Sequence, residues 1–175
     1  MRPSSPTAAE VEVAPGIALR DSRPGDEAFL RSLYRSVREP ELSLTPWTEA
    51  EKQAFSDSQF DLQDRWYRGQ FEGARFLVIL RAGEPVGRIY LAEMPRELRV
   101  MDIAIVPEAR NAGIGTAVIA WAKDLAALSE RAITLHVEGW NPARLWYERL
   151  GFAEEELDGA SVRMRWTKGQ TPKAS

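Results

Sequence analysis

Residues 103–116 read Ile103-Ala104-Ile105-Val106-Pro107-Glu108-Ala109-Arg110-Asn111-Ala112-Gly113-Ile114-Gly115-Thr116, an apolar run that stops at a proline and passes through a glycine turn into a helical pattern. A central strand does not tolerate proline further in, so Pro107 marks the strand end. Gly113 and Gly115 bracket a helix start whose first N–H groups lack intrahelical acceptors. Those amides and the positive end of the helix dipole suit an anion, and glycines let it approach the backbone closely. Two phosphate-binding motifs fail on spacing. No Lys-Ser or Lys-Thr follows the second glycine, which excludes a nucleoside-triphosphate P-loop, and Val118 stands where the dinucleotide fingerprint needs glycine or alanine.

Bulk properties narrow the field further. At 175 residues with 44% hydrophobic side chains, the chain is long enough for one domain with a core of its own. Its 23 basic and 26 acidic residues give a net charge of -3, which argues against a nucleic-acid partner. The absence of cysteine rules out disulfides, thiolate metal sites and a cysteine nucleophile, and one histidine makes a histidine metal site improbable. No apolar run approaches a membrane span, and the first residues lack the apolar core of a signal peptide. We therefore expect a cytoplasmic protein with no metal and no membrane partner.

Residues 1–15, with three prolines and no aromatic, predict a flexible leader; 16–167 form the single domain, and 168–175 a flexible tail. Ile17–Arg20 is a short strand. Pro24 opens a helix carrying Phe29, Leu30, Leu33, Tyr34 and Val37 at helical spacing, which Pro40 is expected to stop. Arg31, Arg35 and Arg38 lie off that face and read as a solvated surface. Thr48 and Glu51 form a capping box for a second helix. Phe55, Leu62 and Trp66 make one apolar stripe on it, and Phe60, Tyr67 and Phe71 another, so this helix should be contacted on two sides. Residues 75–80 and 85–92 form a hairpin about Ala82-Gly83-Glu84. Alternation along the next strand, 99–106, places Val100, Asp102 and Ala104 on one face and Met101, Ile103 and Ile105 on the other. A helix follows the glycine turn, then strand 132–137, which should run parallel to strand 99–106. Asn141 caps a brief helix opened by Pro142 and ended by Gly151, and two final strands pair about Asp158-Gly159.

Arg110-x-x-Gly113-x-Gly115 directly after a strand, with Val106-Pro107-Glu108 before it and Asn141-Pro142-Ala143…Leu145…Tyr147-Glu148-Arg149-Leu150-Gly151-Phe152 downstream, resembles the GCN5-related N-acetyltransferase (GNAT) family. The likeness covers roughly residues 17–166 and is strongest over 98–152. It implies an α+β fold: a central mixed, mostly antiparallel sheet of about six to seven strands, splayed between the fourth and fifth, with about four flanking helices. It also implies acetyl-coenzyme A as acyl donor, an amine acceptor and N-acetyltransferase activity. The pantetheine amides would pair with backbone at Ile103, Ile105 and Val106. The pyrophosphate would meet the amides of Arg110, Asn111, Ala112, Gly113, Ile114, Gly115 and Thr116. Asn141 would add a cofactor contact to its capping role. The loop and second helix border the acceptor groove in this family, which makes Trp47, Gln59 and Tyr67 candidate substrate contacts.

The chemistry requires a proton for the leaving thiolate and a site for the proton released by the amine. Tyr147 is the candidate general acid, its alternative being a tyrosine packed against the sheet. Candidate bases are Glu93, Asp102, His136 and Glu138, since burial among apolar neighbours can raise a carboxylate into a useful range. With no cysteine to carry an acyl-enzyme, transfer would be direct. A catalytically silent acyl-coenzyme A binding module and an enzyme for a longer acyl donor remain open. Trp47 with the aromatics of the second helix could also form a homodimer seam.

Overall fold

The computed structural model describes residues 9–170. Their elements are β1 (Val11–Ala14), β2 (Ile17–Asp21), α1 (Glu27–Leu42), α2 (Glu49–Gln70), β3 (Arg75–Arg81), β4 (Glu84–Glu93), β5 (Glu97–Ile105), α3 (Ile114–Leu128), β6 (Ala132–Glu138), α4 (Ala143–Arg149), β7 (Ala153–Asp158) and β8 (Ser161–Trp166). The strands form one sheet in the order β1-β2-β3-β4-β5-β6-β8-β7. All neighbours are antiparallel except β5 and β6, whose α3 crossover makes them parallel. This is the expected mixed sheet with four helices, one strand larger than the upper expectation. None of the described helices is long and apolar enough to cross a membrane.

Alternation along the strands divides the side chains between two layers. Ile79, Ile89, Leu98, Ile133 and Met164 pack with Val118, Ile119 and Ala122 of α3 and Tyr147 of α4. On the other face Val78 and Leu80 meet Leu30 and Tyr34 of α1 and Phe60 of α2. Each such large side chain contributes about 1.5–3 kcal/mol by leaving water. Arg31 and Arg35 are engaged in ion pairs: Arg31 with Glu27 and with Asp61 of α2, and Arg35 with Glu39 and Glu49. The Thr48 capping box is present, with Glu51 N–H donating to Thr48 Oγ1 at 3.2 Å and Thr48 N–H to Glu51 Oε2 at 2.7 Å.

Four local expectations are corrected. Residues 11–14, expected within a flexible leader, form a strand instead, because Val11 and Glu12 pair with Leu19 and Ala18 as β1; the rest of that expectation and the expected tail fall largely on residues 1–8 and 171–175, which lie outside the described ones. Pro40 does not stop α1. A proline so near a C-terminus forfeits one N–H bond, and Ser43 N–H closes the last turn onto Glu39 O at 2.8 Å. On α2 the stripe of Phe60 and Tyr67 is buried, while Phe55, Leu62 and Trp66 are 41, 53 and 55% exposed; Phe55 meets only Trp47 and Trp66 only Tyr67 and Phe71 among the aromatic rings, so no further element covers that side among the described residues.

The fourth correction governs the site. In β5, Asp102 pairs with Tyr90 but Val100 with Leu91, leaving Met101 as an extra residue. Such a bulge shifts the face of every residue beyond it. Val100 therefore shares the α3 side with Ile103 and Ile105, whereas Asp102 and Ala104 face α1 and α2 beside Tyr90 and Arg88.

At Gly87, β4 passes β5 so closely that a Cβ would collide with the Ala104 carbonyl oxygen and lie 3.2 Å from both Ile105 Cγ1 and Ile79 Cδ1. Backbone cannot yield as a side chain can. Gly87→Ala should lose about 1–3 kcal/mol of stability by urea unfolding, whereas Gly69→Ala, with nothing near its Cβ, should not; equal losses would refute the close-packing account.

Candidate active site

β5 and β6 pair only from Glu97 to Val100 against Ala132 to Leu135. Beyond the Met101 bulge the strands diverge, and a cavity lies on each side of the gap.

The first, of about 570 Å³, is lined by Ile103, Ala104 and Ile105 of β5, by Arg110, Asn111, Gly113, Ile114, Gly115 and Thr116 of the glycine turn, and by Pro142, Ala143, Trp146, Tyr147 and Arg149. Asn111 (φ 59°) and Gly113 (φ 78°) take left-handed conformations that turn the chain into α3. At Gly115 a Cβ would lie 3.2 Å from the Trp146 ring, so glycine there keeps the cavity floor open. Arg110 Nε donates to Ile105 O at 2.9 Å and ties the turn to the strand end. α4 begins at Ala143 with Pro142 in the N-cap position, one residue later than expected, and Asn141 Oδ1 accepts from Ala143 N–H at 2.9 Å from just before it. Val106, Ala112 and Asn141 are not on the lining.

Tyr147, 7% exposed, packs against Trp146 and Phe152 at ring separations of 4.8 and 5.6 Å. Burial pushes its hydroxyl well above the ordinary tyrosine value, and the negative charge of Asp102 adds to the shift. The phenol is therefore held protonated at physiological pH, as a proton donor must be.

The second cavity, of about 350 Å³, is lined by Trp66, Tyr67, Phe71, Arg99, Val100, Met101, His136, Asp158 and Ser161. Tyr67 hydroxyl donates to the Met101 carbonyl at 3.2 Å, so α2 is fastened to the bulge itself. Buried Glu97 accepts from Nη2 of the lining residue Arg99 and from Arg163 Nη2, each at 2.7 Å. Burial opposes ionisation of Glu97, but the Arg99 hydrogen bond and the Arg163 charge outweigh it and hold the carboxyl below the usual range. The same arginines depress His136, after burial, which is the larger cause; the Asp158 and Glu97 charges oppose them. His136 is thus a neutral base near pH 7.

Of the candidate bases, Asp102 lies between the two cavities in sequence, with its Oδ2 2.6 Å from Nε of Arg88. Arg88 is itself 3% exposed and donates to Gln63 Oε1 at 2.8 Å, so the Asp102 carboxylate is committed to a buried ion pair. Glu93 ends β4 opposite Leu98, at the closed end of the β5–β6 pair, and bonds Arg131 at 3.1 Å; the hairpin carries it away from the gap. Glu138 ends β6 and is exposed. His136 alone of the four lines a cavity. Among the acceptor candidates Tyr67 lines the second cavity, while Trp47 packs on Phe55 at 5.1 Å and neither it nor Gln59 reaches the lining. Sequence reasoning missed Trp146 and Arg149 on one side and Arg99 and Asp158 on the other. Trp146 could have been found as the neighbour of Tyr147 on α4; Arg99 carried no local signal.

Residues 72–154 match the family model described as acetyltransferase (GNAT) domain. That stretch, 83 of the 175 residues, is similar to GNAT acetyltransferases. Among solved structures it is similar to the PaiA N-acetyltransferase of Thermoplasma acidophilum in complex with coenzyme A, at TM-score 0.66 and 18% identity over 86% of this chain and 98% of that one. It is also similar to the spermidine N-acetyltransferase of Vibrio cholerae in complex with coenzyme A and spermine, at TM-score 0.61 and 23% identity over 90% and 98% of the two chains. A third similar structure is RimL, a ribosomal L7/L12 alpha-N-protein acetyltransferase, at TM-score 0.63 and 16% identity over 95% and 98%. These likenesses establish the fold. No curated protein sequence matches the chain.

Because the sequence holds one histidine, its imidazole can be titrated by proton NMR without assignment. The midpoint should fall below the ordinary 6.5, and Arg99→Gln should raise it by removing a positive neighbour. A midpoint at or above 6.5 in the parent protein would contradict the described electrostatics.

Proposed function

We propose that the protein transfers the acetyl group of acetyl-coenzyme A directly to a primary amine of a small molecule or peptide. The observation that carries this is the pair of cavities on either side of one gap in the sheet, one lined by glycine-turn backbone and the other by aromatic and polar side chains. The open β5 edge at Ile103 and Ile105 suits the amides of a pantetheine arm, as a peptide adds to a strand. The amides of residues 110–116 suit its pyrophosphate. Nitrogen attacks the thioester carbonyl, the N–C bond forms and the C–S bond breaks. The departing thiolate takes the proton of Tyr147, and the proton shed by nitrogen passes to water or to His136. Water then reprotonates Tyr147.

Three measurements bear on this reading. Saturation with acetyl-coenzyme A at about 100 times its Kd should add about 2.7 kcal/mol, a rise in Tm of about 5–10 °C. Gly115→Val, which pushes methyl groups toward Trp146 and into the first cavity, should abolish that rise. Tyr147→Phe should keep the rise and lose about 10²–10⁴ in kcat by thiol release. An absent shift in the parent protein sinks the reading, and a shift without thiol release toward any amine favours a silent acyl-coenzyme A binding module.

A further inference from the structure

We propose that the acceptor is an amine bearing a carboxylate on an apolar or aromatic body, an amino-acid type of substrate, held by Arg99 and by the rings of Trp66, Tyr67 and Phe71. The proposal rests on the acetyltransferase reading above and narrows its acceptor.

The second cavity is poor in free negative charge. Its one acidic lining residue, Asp158, has a side chain 77% exposed at a hairpin end, where water screens it. Carboxylates paired with or next to its arginines are already taken: Glu97 by the lining residue Arg99 and by Arg163, and the exposed Glu155 by Arg163 at 2.8 Å and Arg165 at 3.6 Å. A polycationic amine would find no uncommitted buried carboxylate among these. Donors, by contrast, are in surplus. A guanidinium carries five N–H groups; Arg99 gives Nη2 to Glu97, its Nε is a buried donor without an acceptor among the described residues, and 22% of its side chain stays exposed. A buried donor left unpaired is costly, and a carboxylate beside it would relieve that cost.

Position agrees with charge. Arg99 lies two residues from Met101, about 7 Å along the strand, so an amine at the gap and a carboxylate a few bonds away fit within the reach of its side chain. The apolar body has a wall waiting for it. Trp66 sits 5.4 Å from Tyr67 and 6.3 Å from Phe71 between ring centroids, yet remains 55% exposed. Flat aromatic surface of this kind gains by being covered.

The test uses the full chain with acetyl-coenzyme A and three kinds of acceptor: apolar and aromatic free amino acids, the same compounds as carboxamides, and spermidine. Thiol release should favour at least one free acid over its amide and over spermidine by about tenfold or more in kcat/KM. Arg99→Gln should lower the acid to the level of its amide while leaving the Tm rise with acetyl-coenzyme A intact. Should that variant fail to fold because Glu97 loses a partner, Arg99→Lys keeps the charge and loses the planar fork, and Trp66→Ala, at an exposed ring, should raise KM for the aromatic acid. A second readout needs no turnover: the preferred free acid should raise the His136 titration midpoint by offsetting Arg99 and Arg163, and its amide should not. Equal use of acid and amide, preference for spermidine, or no acid accepted by a protein that does bind acetyl-coenzyme A overturns this proposal alone. Absence of the acetyl-coenzyme A shift overturns the acetyltransferase reading and this proposal with it.

Discussion

The pairing between β5 and β6 ends after four residues, and the rest of the molecule is arranged around that loss. A parallel pair in mid-sheet would ordinarily continue, because unpaired backbone groups inside a protein are costly. Here the Met101 bulge bends β5 away and leaves an open strand edge in the middle of the sheet. Part of the cost is met locally: the Met101 carbonyl accepts from Tyr67, and the Ile105 carbonyl from Arg110. The remainder is left available to a ligand. Because the gap passes through the sheet, it has one mouth toward α3 and α4 and another toward α2, and two reactants can meet in it without displacing each other.

What could be read in the sequence follows from how local each signal is. The Thr48 capping box, the Ala82-Gly83 turn and the turn leading to Gly113 are each decided within a few residues, and they stand where the sequence places them. β1 escaped notice because four residues gain strand status only from β2, and the leader composition argued against it. Pro40 was misjudged because the usual penalty assumes a helix interior. The same division runs through the site. Its first cavity is built largely from one continuous motif and one short helix, so most of its lining could be named from the sequence. Its second draws on α2, β5, β6 and the β7–β8 hairpin, and a single extra residue at Met101 decides which β5 side chains face it. Regular alternation grouped Asp102 with Val100; the bulge separates them and sends Asp102 to Arg88 instead.

The buried Arg88 and Asp102 pair lies next to the bulge. Removing either partner would strand the other charge in a low-dielectric layer beside Tyr90, whose hydroxyl is itself buried without a partner. The pair fixes β4 to β5 at the point where β5 begins to leave β6. It serves the geometry of the gap through the backbone, and the Asp102 charge adds to the effect of burial in raising the Tyr147 hydroxyl.

The helices that wall the two mouths are held on by different forces. α3 lies on a broad apolar layer with Val118, Ile119, Ala122 and Ala126 fully covered. α2 rests on the smaller cluster around Phe60 and is tied to α1 by the exposed pairs of Arg31 with Asp61 and Arg35 with Glu49. Exposed pairs fade as ions accumulate, since the Debye length falls from about 10 Å at 0.1 M salt to about 3 Å at 1 M, whereas apolar packing does not. Ionic strength therefore acts on the two walls unequally: concentrated salt weakens the ion pairs that join α2 to α1, while the buried Phe60 and the Tyr67 bond to Met101 keep α2 on the sheet.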